Sequence, residues 1–166
     1  MLDMIELIYE FQLLSGKRDL LGIPLTDDER GRLFGLGLIL DVPSEGAGAA
    51  PLVRHDIRGP VQFTTPHGFG VGHVRDLGGS GLTVMTRKPL TPGQRTVVRL
   101  ADPTGGREFV FPCKVIWSRL GSDPAMGLAF DGVPMRMSFR VPSGGEWSVG
   151  LRMHAGPGRP PSPLIS

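Results

Sequence analysis

The chain has 166 residues, a length that supports one complete hydrophobic core with a small appendage. Its 25 glycines and 16 prolines favour many turns and short strands over long helices, and its single cysteine excludes an internal disulfide. The net charge of +2, without a run of lysines and arginines or basic–aromatic interleaving, argues against nucleic-acid binding.

Two helices are predicted at the N-terminus. Residues 2–14 carry apolar side chains at helical spacing, and Ser15-Gly16 is the expected end of this helix. Thr26 and Glu29 have the spacing of a capping box, which predicts a second helix from about residue 27 to residue 40.

The two helices form a predicted N-terminal helical hairpin over residues 1–40. Two short helices cannot bury their apolar faces against each other alone. We therefore expect the hairpin to pack on the rest of the chain, on a second copy or on another protein, and we favour packing within the chain.

A linker and then a β-rich region follow. Residues 41–58 are rich in Pro, Gly, Ala and Ser without periodicity, which is typical of a linker. From residue 59 the apolar pattern has period two, and turn signals separate the segments. The six predicted strands are PVQFTT, FGVGHVRD, GLTVMT, QRTVVRLAD, REFVFPCKVIWS and AMGLAFD. They predict a mainly β fold, a small antiparallel six-stranded barrel preceded by two short α-helices.

Alternation along the fifth predicted strand places five apolar side chains on one face. These are Phe109, Phe111, Cys113, Val115 and Trp117. Pro112 within the same strand indicates an edge or a bulge, because proline cannot donate to a ladder.

The region after the sixth strand is less regular. Residues 134–141 alternate in polarity, and residues 146–154 have the pattern of another extended piece. We assign residues 59–154 to the barrel domain. Residues 155–166 are rich in Pro, Gly and Ser, and we expect them to be a disordered tail.

Two short segments carry the candidate site. Arg54 and Arg58 lie four residues apart in the linker, and their guanidinium groups are suited to phosphates and to guanine edges. The sequence Asp76-Leu77-Gly78-Gly79-Ser80-Gly81 forms an acidic, glycine-rich turn after the second strand. Glycines allow close approach of the backbone to a ligand, and the carboxylate of Asp76 can accept hydrogen bonds from a guanine.

The chain resembles the PilZ domain family, whose two motifs are R-x-x-x-R and [D/N]-x-S-x-x-G. Arg54 and Arg58 match the first motif, and Asp76 and Gly81 match the second, in which Gly78 replaces the family's Ser. The later segments GLTVMT, LTPGQRTVVRL, CKVIWSR and MGLAFD are similar to the family's later strands.

The resemblance implies a non-enzymatic receptor for cyclic di-GMP that acts in signalling, in motility or exopolysaccharide control. Arg54 and Arg58 would hold a phosphate and a guanine, Asp76 would accept from the other guanine, and Gly79 and Gly81 would keep the turn open. Ser80 is a second candidate hydroxyl. Folding of the linker over the ligand would move the helices, which would contact a protein partner.

An alternative is a degenerate PilZ-like adaptor that binds no nucleotide and works through protein contacts alone, because Gly78 lacks the hydroxyl of Ser. Catalysis and metal binding are not expected. The four histidines and Cys113 lack metal-ligand spacing, and no nucleophile motif or P-loop is present. No cofactor, signal peptide or membrane span is predicted, so we expect a cytoplasmic protein.

Overall fold

The computed structural model describes residues 2–42, 56, 58–102 and 106–138, without the side chains of residues 2 and 3. Several predictions concern residues outside this part of the chain. They are Arg54, most of the linker, the extended piece over residues 146–154, and the tail over residues 155–166. The division of the chain into four regions stays a prediction.

Two helices precede the sheet, α1 over Leu2–Asp19 and α2 over Asp27–Ile39. The predicted end of α1 at Ser15-Gly16 is wrong. Gly16 is buried against Val133, and a Cβ at this position would come within 3.2 Å of the valine side chain, so glycine here allows close packing and the helix continues. The reversal comes later, at Gly22, which has a φ of 62° in the left-handed region that glycine adopts readily.

The capping box at the start of α2 is confirmed. The Thr26 hydroxyl accepts a hydrogen bond from the Glu29 backbone N–H at 3.2 Å, and the Glu29 carboxylate accepts one from the Thr26 N–H at 2.9 Å. These two bonds satisfy donors that the first turn of a helix leaves unpaired. Lys17 of α1 also pairs with Glu29 at 2.6 Å, so the cap joins the two helices.

Seven strands follow the helices. They are β1 (Gly59–Thr65), β2 (Gly68–Leu77), β3 (Gly81–Met85), β4 (Arg95–Asp102), β5 (Arg107–Arg119), β6 (Ala125–Phe130) and β7 (Met135–Ser138). All pairings are antiparallel, in the order β4-β1-β2-β3-β6-β5, and β4 also pairs with β5. That last pairing closes the sheet, which confirms the six-stranded antiparallel barrel preceded by two helices.

The seventh strand lies outside this closed cycle. It pairs with β5 residues 107–110 on the edge that β6 occupies farther along, so β6 and β7 follow one another along the same neighbour. The pairing is interrupted near Pro112, whose carbonyl accepts a hydrogen bond from Asp131 N–H at 2.9 Å. Proline therefore sits at a gap in the ladder, where its missing donor is tolerated.

Helix α1 is part of the barrel core. Ile8 is fully buried and Ile5 nearly so, and both belong to the same apolar cluster as Phe63 and Phe109 inside the barrel. Tyr9 extends this contact, since its ring centroid lies 5.7 Å from that of Phe109. The helix thus covers the end of the barrel from which β1 starts.

Charged groups hold the same helix on the sheet. Glu6 of α1 pairs with Arg107 of β5 at 3.0 Å and with Arg136 of β7. The Arg136 guanidinium also lies 5.0 Å from the centroid of the Tyr9 ring, within range of a cation–π interaction. These partly exposed contacts orient α1, while the buried isoleucines supply most of the attraction.

The prediction for Trp117 is wrong. Phe109, Phe111, Cys113 and Val115 are buried inside the barrel as expected. The register between β5 and β6 then shifts between Val115 and Trp117, which reverses the alternation and turns Trp117 to the outer face. The period-two pattern of the sequence contains no signal that predicts this bulge.

Neither of the two helices, over the part of the chain that is described, is long and apolar enough to cross a membrane.

Ile8→Ala is expected to lower the free energy of unfolding by about 2–5 kcal/mol, because it opens a cavity between α1 and the barrel. Leu20→Ala is the control, since Leu20 is 59% exposed and its loss leaves stability within about 0.5 kcal/mol. Denaturant unfolding of both variants measures the difference. Equal midpoints would contradict the docking of α1 on the barrel.

Candidate functional site

The two candidate segments lie at the same end of the barrel. The β1–β2 pairing begins with Gly59 opposite Val74. Arg58 directly precedes Gly59, and Arg75 and Asp76 directly follow Val74. The antiparallel register therefore brings the entry to β1 beside the last residues of β2.

Arg58 presents its guanidinium to solvent. Its side chain is 84% exposed, and its described ion pair is a 3.4 Å contact with Asp56, itself an exposed residue. Exposed pairs of this kind contribute little, so Arg58 is available to a ligand. Arg54, the other arginine of the motif, lies outside the described residues.

A bulge sets the orientation of Asp76. The β2–β3 register shifts between Val74 and Asp76, with Arg75 as the extra residue. Val74 and Leu77 are buried in the core, whereas Asp76 is half-buried opposite Thr83 on the outer face. The bulge thus turns the carboxylate outward at the end of the strand.

The glycine turn itself is covered by the helices. The carbonyl of Gly79 accepts a hydrogen bond from the side-chain amide of Gln12 in α1 at 2.6 Å. Val42, three residues after the end of α2, lies where a side chain on Gly79 would have to go, and Leu40 lies in contact distance of the same position. Gly78 and Gly79 are both buried, so the turn forms a contact between barrel and helices.

The rest of the turn is tied to the sheet. Gly78 N–H donates to the Gly81 carbonyl at 2.9 Å, and the carbonyl of half-buried Ser80 accepts from Phe130 N–H at 3.0 Å. A Cβ on Gly81 would overlap the Leu128 carbonyl of β6. Gly79 and Gly81 are therefore required for close packing on either side of the turn, and neither lines an open surface.

Gln12, Leu40 and Val42 were not predicted to be neighbours of the candidate site. Gln12 and Gly79 are separated by 67 positions, and neither residue belongs to a motif that names the other. Only the docking of the helices, which depends on the buried face of α1, brings them together.

Other chemistry finds little support within the described residues. No group of three His, Cys, Asp or Glu side chains there could hold a metal ion. Cys113 is buried, and burial raises the pKa of its thiol well above the ordinary value, so the group stays protonated and unreactive at neutral pH.

A groove of about 1190 Å³ lies along the β1–β2 hairpin. Phe69 and Val71 line it, and both are largely exposed. None of the described residues of the two motifs belongs to its lining. The groove is therefore separate from the candidate site, which is defined by the arrangement of charged groups and backbone.

Comparison with known proteins identifies the β-rich part of the chain. The PilZ domain family matches residues 53–140, just over half of the chain. The crystal structure of the PilZ domain of CeSA from a cellulose-synthesizing bacterium is 22% identical, with a TM-score of 0.40, over 48% of this chain and 80% of that chain. The Bacillus subtilis inhibitor of motility (MotI/DgrA) is 15% identical, with a TM-score of 0.44, over 54% and 47%. None of the curated proteins matches the chain.

Gly81→Ala is expected to lower the free energy of unfolding by about 1–3 kcal/mol, because its methyl group forces the turn away from the β6 backbone. Gly31→Ala is the matched control, since no atom lies within 4 Å of a Cβ at that helical position. It should stabilise the protein by up to about 1 kcal/mol through helix propensity. Thermal or denaturant unfolding measures both, and an unaltered Gly81→Ala midpoint would show that the turn is not wedged against β6.

Proposed function

The chain belongs to the PilZ domain family, and we propose that it is a cyclic di-GMP receptor that regulates a protein partner. Cyclic di-GMP is the ligand of this family, whose members are regulatory binding domains. The observation that carries the proposal is the meeting of Arg58 and the outward-facing Asp76 at one end of the barrel. This arrangement supplies a cation for phosphate and an acceptor for guanine.

The linker arginines and the turn bind different parts of the ligand. Arg54 and Arg58 bind a phosphate and a guanine face or edge, and Asp76 accepts hydrogen bonds from a guanine. Ser80 contributes a hydroxyl near the position where the family has Ser. The backbone of Gly78 and Gly79 shapes the turn, and binding requires no proton transfer from any of these groups.

The helices provide the route by which binding is sensed. Gln12, Leu40 and Val42 contact Gly79, which is three residues from Asp76. A ligand held between Asp76 and the linker changes this contact, because the linker directly follows α2. The helices then alter their packing and expose or hide a surface for a protein partner.

In this proposal the protein acts in the cytoplasm, where cyclic di-GMP is made, and controls motility or exopolysaccharide production. It has no catalytic role and uses no cofactor or metal. The apolar residues Phe34 and Leu38 on the outer side of α2 are 68% and 67% exposed, which suits a contact with a protein partner.

A second candidate function has its own support. Gly78 lacks the hydroxyl of the family's Ser, and both Gly78 and Gly79 are buried. One backbone polar group of each is already engaged, since Gly78 N–H donates to the Gly81 carbonyl and the Gly79 carbonyl accepts from the Gln12 amide. These features favour an adaptor that keeps the fold, binds no nucleotide and acts through protein contacts alone.

Titration calorimetry with cyclic di-GMP separates the two functions. A receptor would give a measurable heat of binding with a dissociation constant in the micromolar range or tighter. Arg54→Ala or Arg58→Ala should weaken binding about 10- to 100-fold, because each removes charge-assisted hydrogen bonds. Arg30→Ala removes an exposed arginine of α2 and serves as the control with unchanged affinity. A folded protein that gives no heat at high concentration is the adaptor.

Restoring the family residue at position 78 gives a finer test. Gly78 does not have a positive φ, so serine is compatible with its backbone. Gly78→Ser is expected to tighten binding about tenfold by adding one hydrogen bond to a charged ligand. An unchanged dissociation constant would mean that position 78 does not face the ligand.

A further inference from the structure

The first half of β2 has a free edge. On the β1 side, residues 68–74 all have partners, whereas the pairing of β2 with β3 begins only at His73. Thr86, the residue after β3, donates its hydroxyl to the Val71 carbonyl at 3.0 Å, and β3 does not continue beyond it. Within the described ranges, no strand pairs with residues 68–72 on this side, which we call the free edge.

The backbone of the free edge can accept another strand. The Val71 carbonyl points toward Thr86 and away from β1. The N–H of Val71 and both backbone groups of Phe69 point the same way, because alternate residues of a strand share an orientation. Two N–H groups and one carbonyl are therefore directed to the side on which the described part of the chain provides no neighbouring strand.

Apolar side chains flank these groups on the outer face. Phe69 and Val71 are 63% and 72% exposed, whereas a Cβ on Gly70, which lies between them, would point inward onto Phe63. Edge strands are usually protected from pairing by charged residues, proline or a bulge, and the sequence Gly-Phe-Gly-Val-Gly of the free edge has none of these. Its backbone and its exposed apolar side chains favour the docking of another extended chain.

Two cations lie beside the free edge on its inner side. Arg87 and Lys88 are exposed, line the groove along the β1–β2 hairpin, and make no ion pair with any residue that the structure describes. They directly follow Thr86, whose Cβ would lie 3.2 Å from a Cβ on Gly72. Since that Cβ would point inward, the inward side chains of an added strand would approach Arg87 and Lys88.

We propose that the free edge of β2 binds an extended acidic segment of a protein partner, which adds a strand to the sheet. Main-chain hydrogen bonds to Phe69 and Val71 give affinity. Apolar side chains of the segment pack beside these two residues on the outer face, and alternate carboxylates pair with Arg87 and Lys88. The free edge and Asp76 lie at opposite ends of β2, so this surface does not depend on the binding of cyclic di-GMP.

Charge favours such a partner over further parts of the same chain. A second copy of the free edge would bring Gly70 and Gly72 to the inward positions, where they offer no anion to Arg87 and Lys88. It would also add a second pair of cations. The residues after Ser138 carry three arginines and one glutamate, so they do not complement the basic side either.

Hydrogen exchange of the full chain tests whether the edge is free. The amides of Phe69 and Val71 should exchange at least about tenfold faster than those of Gly70 and Gly72, which point to β1. Slow exchange of Phe69 and Val71 at every protein concentration would show that another part of the chain covers them. Slow exchange that develops only at high protein concentration would show a second copy. Either result would overturn the proposal.

A model peptide tests the chemistry of the partner. The probe is an acetylated and amidated peptide in which valine and glutamate alternate, and its matched control has lysine in place of glutamate. The glutamate peptide should slow the exchange of Phe69 and Val71 saturably and leave Gly70 and Gly72 unchanged, whereas the lysine peptide should not. No protection by the glutamate peptide, or equal protection by both, would contradict the proposal.

Variants test the two parts of the surface separately. Val71→Pro removes an N–H of the free edge and no donor to β1, and it should weaken binding of the glutamate peptide at least about tenfold. The double variant Arg87→Ala with Lys88→Ala should weaken it about tenfold and abolish the preference over the lysine peptide. Arg30→Ala, which removes an exposed arginine of α2, is the control with unchanged affinity.

Unfolding midpoints identify a misfolded variant, and the double charge variant keeps the test valid if Val71→Pro does not fold. Wild-type peptide affinity in the folded variants would overturn the proposal. Peptide binding is measured without nucleotide, so its failure leaves the proposed receptor function in place.

Discussion

The structure depends on the close backbone approaches at the turn from Gly78 to Gly81. On one side Gly81 lies against the Leu128 carbonyl of the barrel, and on the other Gly79 lies against the end of α2 and accepts a hydrogen bond from Gln12. Any larger side chain would separate the surfaces. This four-residue turn is therefore one of the contacts between the barrel and the helices, and Asp76 lies two residues before it.

Because the turn contacts both the barrel and the helices, a ligand bound beside Asp76 would affect how the helices pack. The helices are fixed to the barrel by Ile5 and Ile8 in the core and by the pairing of Glu6 with Arg107 and Arg136. They are held more lightly at the turn, through one side-chain hydrogen bond and the contacts of Gly79. In the proposed function, a ligand beside Asp76 would act on this lighter contact and would shift the helices without opening the core.

Much of the fold could be predicted from sequence, because period-two patterns and turn residues report local geometry. The capping box of α2 is local in the same way. The longer α1 could not be predicted, since Gly16 is accommodated by Val133, a contact across the fold. Trp117 was misplaced because a bulge reverses the alternation, and the register of β6 decides where the extra residue falls.

The site shows the same division. Arg58 and Asp76 could be predicted as candidates because the motifs carry chemistry in their residue types, and the barrel register places both at one end. The burial of Gly78 and Gly79 depends on α1 and α2, which are distant in sequence.

The most direct test of a ligand site on the outer face of the barrel beside Asp76 is a backbone-amide NMR titration of the full chain with cyclic di-GMP. The account predicts chemical-shift changes that cluster at Asp76, Thr83 and the turn, and that extend to the side-chain amide of Gln12. Changes confined to the β1–β2 hairpin around Phe69, or no changes at all in a folded sample, would contradict it.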